Sequence, residues 1–224
     1  MIRDITRTLR RGFPAWPGDP PLEIETVASL DRGDPFTISR LTISLHAGTH
    51  LDAPSHALRE GADVGSVPLG RLIGPARVIH APGRLRIDAA DLGALHPSAS
   101  SATRALAAPR RILLRTESAE TLPDLPDRFA ALTPEAADLL VESGVELVGI
   151  DTPSVDPPEA VEPAAHRAFA RAGVAVLEWL DLRGVPPGEY FLIALPLRIQ
   201  GAEASPVRAV LLDGPSLSID RPVE

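Results

Sequence analysis

The 224-residue sequence contains neither cysteine nor lysine, so all of its 22 basic side chains are arginines. Without cysteine the chain cannot form disulfides, iron–sulfur sites or thiolate zinc sites, and it has no thiol nucleophile. Without lysine it cannot form a Schiff base or supply the lysine of a phosphate-binding loop. Any metal must therefore be held by histidine, aspartate or glutamate.

Basic charge is also scarce, because 30 acidic residues outnumber the arginines and give a net charge of −8. Nucleic acid is a poor candidate partner, since phosphate binding needs a basic face. The first residues lack the apolar region of a secretion signal, and no stretch approaches the roughly 18 apolar residues that a membrane helix needs. The sequence predicts a cytoplasmic protein that binds neither nucleic acid nor membranes.

Proline and glycine are abundant, at 24 and 17 residues, and they separate short apolar runs that are typical of strands. These runs predict strands at 2–8, 22–30, 36–46, 76–81, 110–116, 145–151, 174–180, 190–199 and 206–212. The segment 117–132 lacks clear periodicity and is either a lid or a proline-rich surface loop.

Helix signals are fewer than strand signals. One helix is expected after the cap residue Thr133, ending at Gly144, and a second is expected from Glu162 to Gly173. A weaker third candidate starts at Asp88. Because the first two helices each lead into an apolar strand, the pattern predicts an α/β fold with a predominantly β core, in one domain over residues 1–224.

Three of the six histidines lie in the eleven-residue string HAGTHLDAPSH, which runs from His46 to His56. An even spread would place about 0.3 histidines in such a window, so the excess indicates a chemical cause. Imidazole and carboxylate are the ligands of hydrolytic zinc and manganese sites. A purely structural role is the default for the isolated His80 and His96, and also for His166 taken alone on its amphipathic helix.

The backbone chemistry of this string disfavours a metal-binding helix, although His46 and His50 are four residues apart. Gly48, the β-branched Thr49 and Pro54 disfavour a helix and favour a turn instead. On extended chain His50 and Asp52 would share a face, and a turn at Gly48 would bring His46 beside them. His56 would lie nearby as an unligated base, held apart by the stiff segment that precedes it. Asp151 and Asp156, the two aspartates of DTPSVDPP, are interpreted as turn residues at a strand end.

The string HAGTHLDAPSH resembles the HxGTHxDxPxH signature of the cyclase-like metal-dependent hydrolase family, whose members include bacterial kynurenine formamidases (arylformamidases) and isatin hydrolases. The segments AWPGDPP, GPARVIHAPG, LVGIDTPSVDPPE and AHRAFARAGVAVLEWL are also similar, so the resemblance covers nearly the whole chain. It implies the swivelling β/β/α fold of that family.

The resemblance also implies roles for individual residues. The ligands of two divalent ions are implied at His46, His50, Asp52, His166 and Glu178, with zinc as the expected metal and manganese as the alternative. His56 matches the proton-transfer histidine, and Trp16 matches the aromatic residue of the substrate pocket. Glu178 has separate support, because a carboxylate within the apolar strand VAVLEWL is costly to bury unless it is paired or metal-bound.

The function implied is hydrolysis of N-formyl-L-kynurenine to L-kynurenine and formate, a step of tryptophan catabolism, by a homodimer. One alternative is another amide or lactam hydrolase of the family, such as an isatin hydrolase. The other is a non-catalytic metal-binding domain, which would have a coordination sphere closed by protein.

Overall fold

The computed structural model describes residues 1–81, 83–92, 110–116, 125 and 127–213, and strands dominate this part of the chain. The strands are β1 (Ile2–Asp4), β2 (Glu23–Ala28), β3 (Ile38–Thr42), β4 (His50–Asp52), β5 (Ile73–His80), β6 (Arg86–Ile87), β7 (Arg111–Arg115), β8 (Ala131–Leu132), β9 (Leu147–Ile150), β10 (Ala175–Glu178), β11 (Gly188–Pro196) and β12 (Ala204–Leu212). The helices are α1 (Leu69–Leu72), α2 (Pro134–Glu142) and α3 (Ala164–Ala172). None of the helices described is long and apolar enough to cross a membrane.

Eight of these strands form one sheet in the order β1-β12-β11-β5-β7-β9-β10-β4. The central strands β5, β7, β9 and β10 are parallel, and α2 and α3 provide the connections from β7 to β9 and from β9 to β10. Strand β4 pairs with β10 on one side and β12 on the other, so it closes seven strands into a ring. The short strand β4 is therefore the element that completes the barrel.

The interior of this barrel is filled by apolar side chains from all seven strands of the ring. Members of this core include Leu51, Val78, Leu113, Leu177 and Leu192. Gly149 of β9 also faces it, because a Cβ there would lie 2.5 Å from Leu113 Cδ2 and 2.7 Å from Leu180 Cδ1. A side chain at this position would have to displace these leucine methyl groups from the core.

A second core lies between the parallel strands and the helices. Neighbours of the barrel residues along the same strands, such as Ile112, Leu114 and Val176, pack there against Leu140 of α2 and Phe169 of α3. Side chains alternate across a strand, so each parallel strand buries one face in the barrel and the other face under the helices. The sequences of these strands are therefore almost continuously apolar. Burial of a large apolar side chain contributes about 1.5–3 kcal/mol, so this layer holds the helices in place.

Local sequence signals start and stop the two longer helices. The Thr133 side chain accepts a hydrogen bond from the Ala136 N–H at 3.2 Å, and Pro134 is the first residue of α2. Helix α3 ends at Gly173, whose φ of 68° lies in the left-handed region. Both helices are as the sequence predicts.

All nine predicted strand runs contain a strand, which confirms the α/β fold with a predominantly β core. The prediction of a third helix starting at Asp88 is wrong within the residues described. The Asp88 carboxylate instead accepts from the N–H groups of Ala90 and Asp91 and closes a turn. His96 and most of the segment 117–132 lie outside the described residues, so the lid hypothesis and the bounds of a single domain stay predictions. Strands β4, β6 and β8 and helix α1 were not predicted, since each is too short to show a periodic pattern.

Strands β2 and β3 form a separate two-stranded sheet beside the barrel. Its apolar side chains are largely exposed, with Val27 at 54%, Phe36 at 70% and both Ile38 and Leu41 at 53%. This hairpin therefore presents apolar surface outward.

Candidate metal centre

Strand β4 brings a histidine and two carboxylates together at the closure of the barrel. In its pairing with β10, His50 lies directly opposite Glu178, so their side chains share one face of the sheet. Asp52, two residues further along β4, points to the same face, while the intervening Leu51 points into the barrel core. The expectation that His50 and Asp52 share a face is confirmed.

A turn before β4 adds the next histidine. Gly48 has a φ of 63°, a conformation that residues with a side chain rarely adopt. This turn places His46 Nδ1 3.0 Å from Asp52 Oδ1. The predicted turn at Gly48 is confirmed, and His46 and His50 do not lie on a helix.

Helix α3 supplies a further histidine from the opposite side. His166 Nε2 lies 3.3 Å from Asp52 Oδ2 and 3.2 Å from Glu178 Oε1. His50 Nε2 is 3.4 Å from Asp52 Oδ1 and also 3.4 Å from Glu178 Oε2. The two carboxylates are thus surrounded by the ring nitrogens of neighbouring histidines.

The donor atoms of this cluster fit a divalent metal. His50 Nδ1 donates to the Gly48 carbonyl at 2.8 Å, which leaves Nε2 with a free lone pair in the neutral ring. His50 Nε2 and Asp52 Oδ1 are both buried and have no hydrogen-bond partner within the described part of the chain. An imidazole nitrogen and a carboxylate oxygen are the donors that zinc and manganese accept.

The pKa directions in the cluster show that it needs positive charge. Burial opposes ionisation of Asp52 and Glu178, but the histidines outweigh it and lower the pKa of both carboxyls. Burial also opposes the charged form of His50, yet Asp52 and Glu178 outweigh it and raise its pKa to about 10. Protons on the rings, or a divalent metal that displaces them, would balance the buried carboxylates.

Two sets of three donors can be distinguished, and Asp52 belongs to both. One set is His50, Asp52 and Glu178, and the other is His46, Asp52 and His56. In each set the donor atoms lie within 4.8 Å of one another. A carboxylate shared by two donor sets is the arrangement that a pair of ions would use.

His56 lies closer to the cluster than its position after Pro54 suggests. Pro54–His56 forms a single 3-10 turn that returns the ring to the cluster, 4.3 Å from the His46 ring and 5.2 Å from the His166 ring, measured between centroids. The residue keeps an exposed edge, but loss of hydration beside the cluster lowers its pKa. The expected separation of His56 is not seen, although its predicted role as proton carrier stays a prediction.

Asp156 positions the His166 ring, a role that the sequence analysis missed. Its buried carboxylate accepts from His166 Nδ1 at 2.6 Å, and from the backbone N–H groups of Ala165 and His166 at 2.9 and 3.0 Å. It therefore caps α3 and directs His166 Nε2 toward Asp52 and Glu178. The interpretation of Asp156 as a turn residue was incomplete, because its partners lie about ten residues further along the chain.

The segment that follows β9 fixes Glu178. Glu178 Oε1 accepts the Val155 N–H at 2.7 Å. The next residue, Trp179, has a φ of 54°, and its backbone donates to the Thr152 carbonyl and accepts from the Thr49 hydroxyl at 2.6 Å. Thr49 of the histidine string thus ties β4 to the end of β10, and the left-handed residue lies directly beside the cluster.

The cluster opens into a cavity of about 240 Å³. His46, His50, His56, His166 and Glu178 line one side of it, and prolines of the 153–163 segment line another. Trp16 also lines the cavity, is 39% exposed, and packs edge-on against Phe129 at 6.3 Å between ring centroids. The structure therefore brings the predicted site residues other than Asp52 to the lining of one cavity, whereas His80 at the end of β5 does not line it.

The sheet and the cluster define an α/β protein with a histidine–carboxylate centre that fits a divalent metal. Residues 3–157 match the family model described as "Putative cyclase", which spans more than half of the chain. The chain belongs to this Cyclase family.

Solved structures of metal-dependent hydrolases are similar over almost the whole chain. One is a potential metal-dependent hydrolase with cyclase activity, at 26% identity and a TM-score of 0.79, covering 96% of this chain and 99% of that chain. A predicted metal-dependent hydrolase from Bacillus stearothermophilus has 28% identity and a TM-score of 0.77, covering 94% and 97%. Isatin hydrolase A from Labrenzia aggregata, bound to benzyl benzoate, has 25% identity and a TM-score of 0.79, covering 94% and 93%.

We expect Asp156→Asn to weaken metal binding by about tenfold to a hundredfold, because an amide orients the His166 ring but cannot supply the charge that makes it a better ligand. Asp156→Ala also removes the cap of α3 and should lower the unfolding free energy of the metal-free protein by about 1 kcal/mol. Competition with a chromophoric chelator measures the first effect, and urea unfolding measures the second.

Asp151→Asn is the matched control for this prediction. Asp151 is a buried strand-end aspartate that accepts from the Thr116 N–H and hydroxyl, and burial raises its pKa to about 6. It contacts none of the candidate ligands through these bonds, so its amide variant should keep the metal affinity of the wild type. Unchanged affinity in Asp156→Asn would contradict the role assigned to Asp156.

Proposed function

We propose that the protein is a metal-dependent amidohydrolase that hydrolyses N-formyl-L-kynurenine to L-kynurenine and formate in tryptophan catabolism. The observation that supports this most directly is the opening of the histidine–carboxylate cluster into a cavity that also presents an indole ring. Metal ligands and an aromatic wall on the same cavity suit the metal-assisted hydrolysis of an aryl formamide. The similarity to metal-dependent hydrolases supports the same reaction class.

The open cavity argues against a non-catalytic metal-binding domain. A structural metal site is closed by protein ligands, whereas a catalytic one keeps a position open for water or substrate. Here His46, His50 and Glu178 all line the cavity wall. The cluster is thus accessible to a small molecule.

We propose that two divalent ions bind per chain, with zinc the first candidate and manganese the second. The residues that would hold them are His46, His50, Asp52, His166 and Glu178. Asp52 belongs to both donor sets, and His166 lies outside these sets but has Nε2 3.3 Å from Asp52 Oδ2 and 3.2 Å from Glu178 Oε1. When bound, such ions act as Lewis acids and lower the pKa of water toward neutrality.

The other residues of the cavity would orient the substrate and transfer a proton. Trp16 would pack against the aryl ring, since aromatic pairs favour edge-on or offset contact. Water supplies the second oxygen of formate, the C–N bond of the formamide breaks, and the aryl nitrogen needs a proton to leave as an amine. His56, on the cavity wall, would deliver that proton, a contribution of about 10²–10⁴ in rate.

Hydrolysis of isatin is the second candidate function, because isatin hydrolase A is similar over 94% of this chain. Isatin also contains an amide bonded to an aromatic ring, here within a five-membered ring. The same cluster and the same tryptophan would serve both reactions. Direct comparison of the two substrates distinguishes them.

We also propose that the protein is a homodimer. The exposed apolar side chains of the β2–β3 hairpin, including Phe36 and Ile38, are surface that a second copy of the chain would cover. A symmetric pair is the commonest way in which such a surface is buried.

We expect the purified protein to contain two divalent ions per chain and to hydrolyse N-formyl-L-kynurenine faster than isatin. Metal content should be measured by elemental analysis, and turnover of N-formyl-L-kynurenine by kynurenine absorbance, on the same sample. Chelation should abolish turnover and metal return should restore it. One ion per chain would contradict the two-ion centre, and faster turnover of isatin would favour the second candidate function.

We expect His56→Ala to keep its metal while kcat falls by roughly 10²–10⁴, because the proton carrier acts only in the transition state. Elemental analysis and steady-state kinetics on one preparation test this. His80→Ala, which changes a histidine outside the cavity, is the control and should retain both. Loss of metal from His56→Ala would instead make His56 a ligand, as its place in a donor set with His46 and Asp52 allows.

Light scattering should give a mass near twice the 23.7 kDa of one chain. Ile38→Glu should shift the mass toward that of one chain, because a charge is costly to bury against a partner without compensation. Val161→Glu is the control, since Val161 is 93% exposed and lies outside the hairpin. A wild-type mass near 23.7 kDa would rule out the dimer.

A further inference from the structure

A tight turn from Trp16 to Asp19, called the rim turn below, supplies two residues to the lining of the cavity. The Asp19 N–H donates to the Trp16 carbonyl at 2.9 Å, and Gly18 has a φ of 97°. Proline followed by glycine at the two central positions is the sequence preference of a type II turn. The turn is therefore stiff, and it presents an indole and a carboxylate to the same cavity.

The Asp19 carboxylate is fixed by a contact with the segment that leads to the cluster. Ser44 donates its hydroxyl to Asp19 Oδ2 at 2.6 Å, and the same hydroxyl accepts the His46 N–H at 3.2 Å. One serine thus connects the rim turn to the turn that positions His46. The half-buried carboxylate is held in place relative to the candidate metal centre.

Asp19 is absent from the two donor sets that would hold metal. Its carboxylate has two oxygens that together accept up to about four hydrogen bonds, and the Ser44 hydroxyl occupies one position. Because Asp19 lines the cavity, a ligand in the cavity could donate to the acceptor positions that Ser44 does not occupy. A fixed, half-buried carboxylate beside an aromatic ring is suited to a ligand with an aromatic group and a primary ammonium.

We propose that Asp19 is a specificity-determining residue that binds the ammonium group of the substrate while Trp16 contacts its ring. This inference rests on the proposed function, and it narrows the substrate class to aryl amides with a cationic side chain. N-Formyl-L-kynurenine has such an α-ammonium, whereas isatin is neutral. Asp19 therefore distinguishes the two candidate functions, which the metal-binding residues do not.

The test compares two ligands that differ only in the ammonium group. They are L-kynurenine and the same keto acid without its α-amino group, titrated calorimetrically into the metal-loaded protein. In Asp19→Asn the affinity for L-kynurenine should fall by about tenfold to a hundredfold, the range of a hydrogen bond to a charged group. The affinity for the deaminated ligand should change by less than about threefold, since it loses no charged partner.

Asp63→Asn is the matched control. Asp63 also accepts from a serine hydroxyl at 2.6 Å, that of Ser66, but it does not line the cavity. This variant should bind both ligands as the wild type does. It separates the loss of a carboxylate at the rim from the loss of a carboxylate elsewhere on the surface.

Each of the other possible results either supports or overturns the ammonium site. Equal losses for both ligands in Asp19→Asn, no loss for either, or no binding of L-kynurenine by the wild type would overturn the ammonium site. Turnover of N-formyl-L-kynurenine on the same samples tests the proposed reaction separately. Selective loss of L-kynurenine binding without any turnover would support the ammonium site and reject the reaction.

Discussion

Two carboxylates buried on neighbouring strands set the main constraint on this molecule. Asp52 and Glu178 lie on the antiparallel strands β4 and β10, and both are almost completely buried. A buried charge without compensation costs several kcal/mol, so the fold must surround this pair with donors or a cation. His166 and the Val155 N–H provide donors, and within the described residues His50 Nε2 and Asp52 Oδ1 have no hydrogen-bond partner, so a divalent ion would join them.

Closure of the barrel and assembly of the centre depend on the same three residues. In β4 the middle residue, Leu51, packs into the barrel core, while His50 and Asp52 on either side face the cluster. A shift of one residue in the pairing of β4 would exchange these faces, placing two polar side chains in the apolar core. The apolar core thus fixes the register that the metal centre needs, and correct closure of the sheet positions the ligands.

The sequence predicts those parts of the site that depend on local chemistry. The excess of histidines, the turn at Gly48 and the shared face of His50 and Asp52 follow from residue type and spacing, and all nine predicted strand runs contain strands. The pairing of β4 with both β10 and β12 could not be predicted, because it joins residues more than a hundred positions apart. The His166-orienting role of Asp156 and the left-handed backbone of Trp179 likewise depend on contacts that form only in the folded chain.

Under the proposed function, reaction type and substrate choice would depend on different parts of this cavity. The cluster around Asp52 would support hydrolysis of any amide that reaches it, and the similar solved structures include an isatin hydrolase as well as hydrolases of the wider class. Selection among such substrates must come from side chains that contact the rest of the molecule. Trp16 and Asp19 lie in that part of the cavity, on a turn far in sequence from the histidine string. Ser44 holds this turn in a fixed position relative to His46, while Asp19 itself belongs to neither donor set, so the two tasks would be divided between adjoining parts of one cavity.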